Sequence, residues 1–156
     1  MSIPLKERYF EDYQPGEVHE FGSYTVTADE IVEFAKRYDP QPFHTDPAAA
    51  AKSIYGGLIA SGWMTGALMM RILVDNFISQ ASSMGSPGMD ELRWLKPVRP
   101  GDTLRVRVAV IEARRSQSKP DRGILLAQQE CLNQNNEVVM SAKSMALYRC
   151  RSVPAT

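Results

Sequence analysis

The sequence predicts an α+β domain in which an antiparallel sheet curves around one long helix. Three observations predict it. The N-terminal half carries a short capped helix and then a long apolar segment, "GGLIASGWMTGALMMRILVDNFISQ". The C-terminal half carries alternating apolar and polar runs separated by turn residues. No regular alternation of strand and helix joins the two halves, and such segregation indicates α+β. A length of 156 residues fits one domain, taken as residues 1–156, with enough chain to bury a proper core.

The elements follow in order. "YQPGE" (Tyr13 to Glu17) is a turn signal. "VHEFGSYTV" reads as a strand kinked at Gly22. In "TADEIVEFAKRYD", Thr27 and Glu30 form a capping box, and Ile31, Phe34, Ala35 and Tyr38 form an apolar stripe at helical spacing. Pro40 disfavours helical backbone at Asp39 and ends that helix. The stretch "YDPQPFHTDP" is then a stiff loop, after which Asp46 caps a further turn with Pro47 at its first position.

The long apolar segment leaves few polar gaps, so its helix is expected to be buried on most sides. Beyond "SSMGSPG", the run "MDELRWLKPV" is a strand and "RPGD" a turn. "TLRVRVAVIEARR" places Leu104, Val106, Val108 and Val110 on one face and Arg105 and Arg107 on the other. "ILLAQQECLNQ" and "VVMSAKSMALYRCR" flank an Asn-rich turn and read as a hairpin. An antiparallel meander is expected of these strands.

Lys plus Arg equal Asp plus Glu at 18 each, which argues against a general nucleic-acid or anionic-membrane partner. No uninterrupted apolar run reaches a membrane span, and the charged N-terminus lacks an apolar signal region. The expectation is a cytoplasmic protein without nucleic-acid or membrane partners. Cys131 and Cys150 stand apart from each other and from histidine, so they read as strand thiols in a reducing compartment. With only two histidines, His19 and His44, far apart, no metal is expected. His19 reads as a surface strand residue. No HExxH, GxGxxG, Walker or GxSxG motif occurs.

Asp39 and His44 are the residues placed for chemistry. A carboxylate and an imidazole held at fixed separation by Pro40 and Pro42 can grip one water and move its protons. The same residues also fit turn chemistry, with Asp46 a helix cap and His44 satisfying a buried carbonyl. If the long helix begins near Ser61 and Gly62, the Gly62 N–H faces the positive end of the dipole and suits a developing oxyanion. Small residues there serve helix packing equally well.

"YDPQPFHTDPAAAA" resembles the hydratase signature of the MaoC-like dehydratase family, Asp-x-Asn-Pro-x-His-x-Asp followed by small residues. Asp39, Pro42, His44 and Asp46 match it, and Gln41 stands where the pattern has Asn. "GGLIASGWMTGALM" is similar to the family's buried helix, and "ELRWLKPVRPGDTLRVRV" to its following strand and turn. The resemblance implies a single hot-dog domain, a homodimer with joined sheets, and reversible hydration of a trans-2-enoyl-CoA to an (R)-3-hydroxyacyl-CoA. It implies that Asp39 and His44 activate water and that the Gly62 N–H holds the thioester carbonyl. Gln41, Ser61 and Trp63 are the expected substrate-binding residues. Trp63, Met64 and Tyr55 are bulky, and whichever of them faces the acyl pocket would restrict chain length. No cofactor is implied, because coenzyme A is part of the substrate. Arg93, Lys96 and Arg99 could meet its phosphates, or serve as solvated edge charges. Two other readings stand beside hydration: a hot-dog thioesterase, disfavoured because "SGWMTGALMMRILVD" offers no acid before Asp75, and a silent acyl-CoA binding module.

Overall fold

The computed structural model describes residues 2–153. Five antiparallel strands form one sheet in the order β1-β3-β4-β5-β2. They are β1 (Val18–Thr25), β2 (Gly88–Trp94), β3 (Thr103–Arg115), β4 (Arg122–Leu132) and β5 (Val138–Arg149). Four helices, α1 (Ala28–Tyr38), α2 (Pro42–Thr45), α3 (Pro47–Ala51) and α4 (Gly62–Asn76), precede β2. The sheet curves around α4, which is the hot-dog arrangement.

The strand faces follow the alternation. Leu104, Val106, Val108 and Val110 of β3 are all buried. Arg107 on the outer face pairs with Glu130 at 2.8 Å and Glu20 at 3.3 Å on the two neighbouring strands. The β4–β5 turn carries Asn136 at φ 61°, a left-handed backbone that Asn tolerates.

The expected meander holds only for β3, β4 and β5. Strand β2 pairs with β5 at the far edge instead of with β3. The reason lies in the connection "LKPVRP". Pro97 and Pro100 cannot donate to a ladder, so this segment crosses the end of the sheet instead of turning back. The Ala60 N–H donates to the Val98 carbonyl at 2.8 Å, tying the crossing to the start of α4.

Strand β1 bends at Gly22, where φ is 91° and the register with β3 shifts. A Cβ there would stand 2.4 Å from Ile72 Cγ2, so only glycine lets β1 approach α4 this closely. Helix α1 starts on the capping box. The Glu30 N–H donates to Thr27 Oγ1 at 3.2 Å, and the Thr27 N–H donates to Glu30 Oε1 at 2.8 Å. Thr27→Ala is expected to lower stability by about 1 kcal/mol, measured by denaturant unfolding. Ile31 and Ala35 of the expected stripe are fully buried, but Tyr38 is 61% exposed. It is the last helical residue and stands beyond the core, with Arg37 over its ring.

Helix α4 buries only one side. Met64, Thr65, Met69, Ile72 and Leu73 are buried, whereas Trp63, Met70 and Val74 are exposed. The sheet of one chain wraps one face of the helix, so an apolar outer stripe remains. Among the described residues, no helix is long and apolar enough to cross a membrane.

Candidate active site

The segment after α1 is not a loop but a turn of helix. Asp39 ends α1, its N–H donating to the Ala35 carbonyl at 2.8 Å. Pro42 then opens α2 at the position where a missing N–H costs nothing. One helical turn brings His44 back toward Asp39. Asp46 caps α3, accepting from the Ala48 and Ala49 N–H groups at 3.0 and 3.4 Å. Its work is structural, and it does not line the cleft described next.

His44 is 5% exposed. Its Nδ1 lies 2.7 Å from the Ile59 carbonyl oxygen. That oxygen can only accept, so Nδ1 carries a proton and donates to it. Nε2 lies 3.3 Å from Asp39 Oδ2. One nitrogen thus satisfies a buried carbonyl, and the other stands beside the carboxylate.

Gln41 makes the bond its longer side chain permits, its Nε2 donating to Asp39 Oδ1 at 2.7 Å. Burial alone pushes the Asp39 carboxyl up. Hydrogen bonding from Gln41 and Ser61 and the nearby His44 outweigh it and hold the pKa below the usual aspartate range. Asp39 is thus a carboxylate at neutral pH, with Oδ1 committed to Gln41 and Oδ2 turned to His44.

A cleft of about 460 Å³ opens over this pair. Asp39, Gln41, His44, Gly62 and Trp63 line it, and Tyr55, Trp94 and Lys96 stand among its other walls. Ser61, expected to touch substrate, instead lies fully buried outside the lining. It caps α4, with Oγ accepting from the Trp63 N–H at 3.3 Å, and it acts on Asp39 from behind. Gly62 is the first residue of α4, and its N–H has no partner among the described residues. Met64 points elsewhere, buried beside α1.

Trp94 is a cleft wall that the sequence does not announce. Its indole N–H donates to the Gly62 carbonyl at 2.8 Å. Its ring lies so close that a Cβ on Gly62 would stand 2.6 Å away. A bulge in β2 between Asp90 and Arg93, with Glu91 at φ 52°, re-aims the strand just before Trp94. An aromatic residue ending a strand before a proline was the available signal. Gly62→Ala keeps the N–H but must displace the indole. It is expected to cost about 1–3 kcal/mol of stability and to alter tryptophan fluorescence.

Of the three basic residues near the crossing, Lys96 alone reaches the cleft, where it pairs with Glu137. Arg99 is committed to the Tyr55 carbonyl at 2.6 Å and Arg93 to the Leu92 carbonyl at 2.9 Å. His19 lies outside the cleft, its Nε2 2.7 Å from Glu17 Oε2. Cys131 is buried, which pushes its thiol up to about 12 and leaves it a poor nucleophile. Among the described residues, no cluster of His, Cys, Asp and Glu is arranged to hold a metal.

Comparison with known proteins agrees with this architecture. A family model described as a MaoC like domain matches residues 12–125. The crystal structure of a MaoC-like dehydratase from Rhodospirillum rubrum superposes with a TM-score of 0.87 at 39% identity, over 94% of this chain and 99% of that one. The uncharacterized protein YdeM of Bacillus subtilis is 27% identical over 89% of this chain and 97% of its own. Mesaconyl-CoA hydratase of Cereibacter sphaeroides is 36% identical over 47% of this chain, a stretch spanning 21% of that longer protein. A signature helix turn bearing Asp39 and His44, a hot-dog sheet and a matching family model lead to one conclusion: this chain belongs to the MaoC-like dehydratase family.

Proposed function

We propose that this protein hydrates a trans-2-enoyl-CoA, or a related enoyl thioester, reversibly to the (R)-3-hydroxyacyl thioester. The observation that carries the reading is the 3.3 Å approach of His44 Nε2 to Asp39 Oδ2 in a cleft that the Gly62 amide also lines. A water held between these two groups gives its proton to the pair as its oxygen adds to C3. Negative charge then builds on the thioester oxygen as an enolate. The Gly62 N–H at the positive end of α4 stabilises that charge, a contribution of about 3 kcal/mol for a well-placed donor. The pair returns a proton to C2, and no cofactor takes part.

Several features support this over thioester hydrolysis. The one carboxylate on α4, Asp75, is exposed, lies at the far end of the helix and is bound by Arg71 at 2.9 Å. It cannot reach a carbonyl at the Gly62 end. Trp63 and Tyr55 narrow the cleft and would meet the acyl group, and Lys96 at its edge suits an anionic part of the substrate. The hydratase of C. sphaeroides acts, by its name, on a CoA thioester.

The unpaired edge of β2 and the apolar stripe of Trp63, Met70 and Val74 suit a second copy joining sheet to sheet, so the working form in this reading is a homodimer. The test is loss of enoyl absorbance with crotonyl-CoA beside a free-thiol assay on the same samples. Enoyl loss without thiol release is the expected result. Thiol release would assign a thioesterase, and tight binding without turnover would assign a silent module.

A further inference from the structure

The chain entering α4 is tied down one residue after another. The Ile59 N–H donates to the Phe43 carbonyl at 3.2 Å, and the Ile59 carbonyl accepts from His44 Nδ1 at 2.7 Å. The Ala60 N–H donates to the Val98 carbonyl at 2.8 Å. These bonds stop short of Gly62, where the helix is weakest. First-turn N–H groups lack helical partners, and glycine is a poor helix former. The Ser61 cap accepts from the Trp63 N–H at 3.3 Å and leaves Gly62 to other restraints.

Trp94 supplies the missing restraint. Its indole N–H donates to the Gly62 carbonyl at 2.8 Å. As the first helical residue, Gly62 also offers that carbonyl to the helical ladder, and an oxygen with two lone pairs accepts both. The ring itself seats on Gly62: a Cβ there would stand 2.6 Å from Cε2, 2.7 Å from Nε1 and 2.9 Å from Cδ2. Trp63 meets the same indole edge-on, with ring centroids 5.1 Å apart. Core packing does not explain the placement, because Trp94 is 43% exposed. Nor is the placement relaxed. Glu91 holds φ 52° in the bulge that aims the strand end, and such strained residues cluster at functional sites.

We propose that Trp94 is a positioning residue, whose indole N–H locks the first turn of α4 so that the Gly62 amide is already in place when charge builds on the thioester oxygen. This rests on the hydration reading and deepens it. His44 ties the helix entry on one side through Ile59, and Trp94 ties it on the other through Gly62, so the water-activating pair and the amide donor keep one fixed separation. A donor fixed in advance needs no reorganisation as the reaction proceeds. A displacement on the order of 1 Å is enough to lose much of such an effect. Trp94 acts through Gly62 and takes no part in the proton transfers. Its bond serves the transition state more than the bound substrate, so its loss falls on kcat and not on KM.

The test replaces Trp94 in the full chain with benzothienylalanine, which keeps the shape of tryptophan and carries sulfur in place of the N–H. Trp94→Phe, a smaller ring that also lacks the donor, is the second variant. Both kcat and KM are measured with crotonyl-CoA, and exchange of the Gly62 amide proton is followed by NMR on nitrogen-labelled protein without substrate. With the isostere, kcat is expected to fall about fivefold or more, as one lost hydrogen bond implies, and Gly62 exchange to quicken by a similar factor. KM is expected to stay within about twofold, with the unfolding midpoint nearly unchanged. Trp94→Phe is expected to lose at least as much kcat. Natural kcat in the isostere protein would overturn the proposal, as would a loss confined to KM or unaltered Gly62 exchange. A ring that served only packing would lower the unfolding midpoint in Trp94→Phe and leave the isostere fully active. The two readings fail separately. A natural protein that releases thiol or leaves crotonyl-CoA untouched removes the hydration reading, and Gly62 exchange still decides whether Trp94 holds the amide.

Discussion

Asp39→Asn is expected to lower turnover of a trans-2-enoyl-CoA about a thousandfold, within the range typical of a lost general acid–base group. The side chain keeps its shape, and its Oδ1 still accepts from Gln41 at the position where that bond is 2.7 Å. What disappears is the capacity to take a proton. Binding of substrate should change little, so the loss falls on kcat and not on KM. The pH behaviour follows from the direction of the Asp39 shift. Hydrogen bonding and His44 hold the folded pKa below the unfolded one, so the charge adds stability above the unfolded pKa. That stability is lost as pH falls through the folded value. The acid limb that Asp39 sets on activity therefore lies below the ordinary aspartate range, and it vanishes in Asp39→Asn. A variant retaining natural turnover would remove Asp39 from the chemistry.

His44→Ala is expected to be nearly as damaging to turnover, by about a hundredfold or more, and it should also weaken the fold. The fold suffers because the ring is buried and its Nδ1 donates to the Ile59 carbonyl at 2.7 Å. Removing it strands that carbonyl and opens a void, which costs about 1–3 kcal/mol for the unpaired group alone. Denaturant unfolding measures this cost, and activity is compared under conditions where the variant is fully folded. Partial return of turnover on adding free imidazole would separate lost chemistry from lost packing.

Much of this was legible from residue order. Capping, alternation and the prolines around Asp39 each act locally, so Thr27, Leu104 to Val110 and the end of α1 could be read directly. The nearness of Asp39 and His44 was legible because only four residues separate them in one stiff segment. The rest depends on contacts far apart in the chain. Nothing in "RWLKPVRP" says that β2 will pair with β5, because that choice is made by strands that come later. Trp94 reaches Gly62 across a separation of 32 residues, and Ser61 is fully buried next to Asp39 and outside the cleft lining. The exposed stripe of α4 was hidden because hydrophobicity reports that a face is apolar, not what covers it.

The most direct test of the central claim follows the water itself. The natural protein and Asp39→Asn are given a trans-2-enoyl-CoA in oxygen-labelled water, and the products are analysed by mass and position of label. Label in a C3 hydroxyl of an intact CoA thioester, formed by the natural protein and essentially absent with Asp39→Asn, is the predicted result. Label in a free carboxylate beside released thiol, or equal C3 labelling by both proteins, would contradict the account.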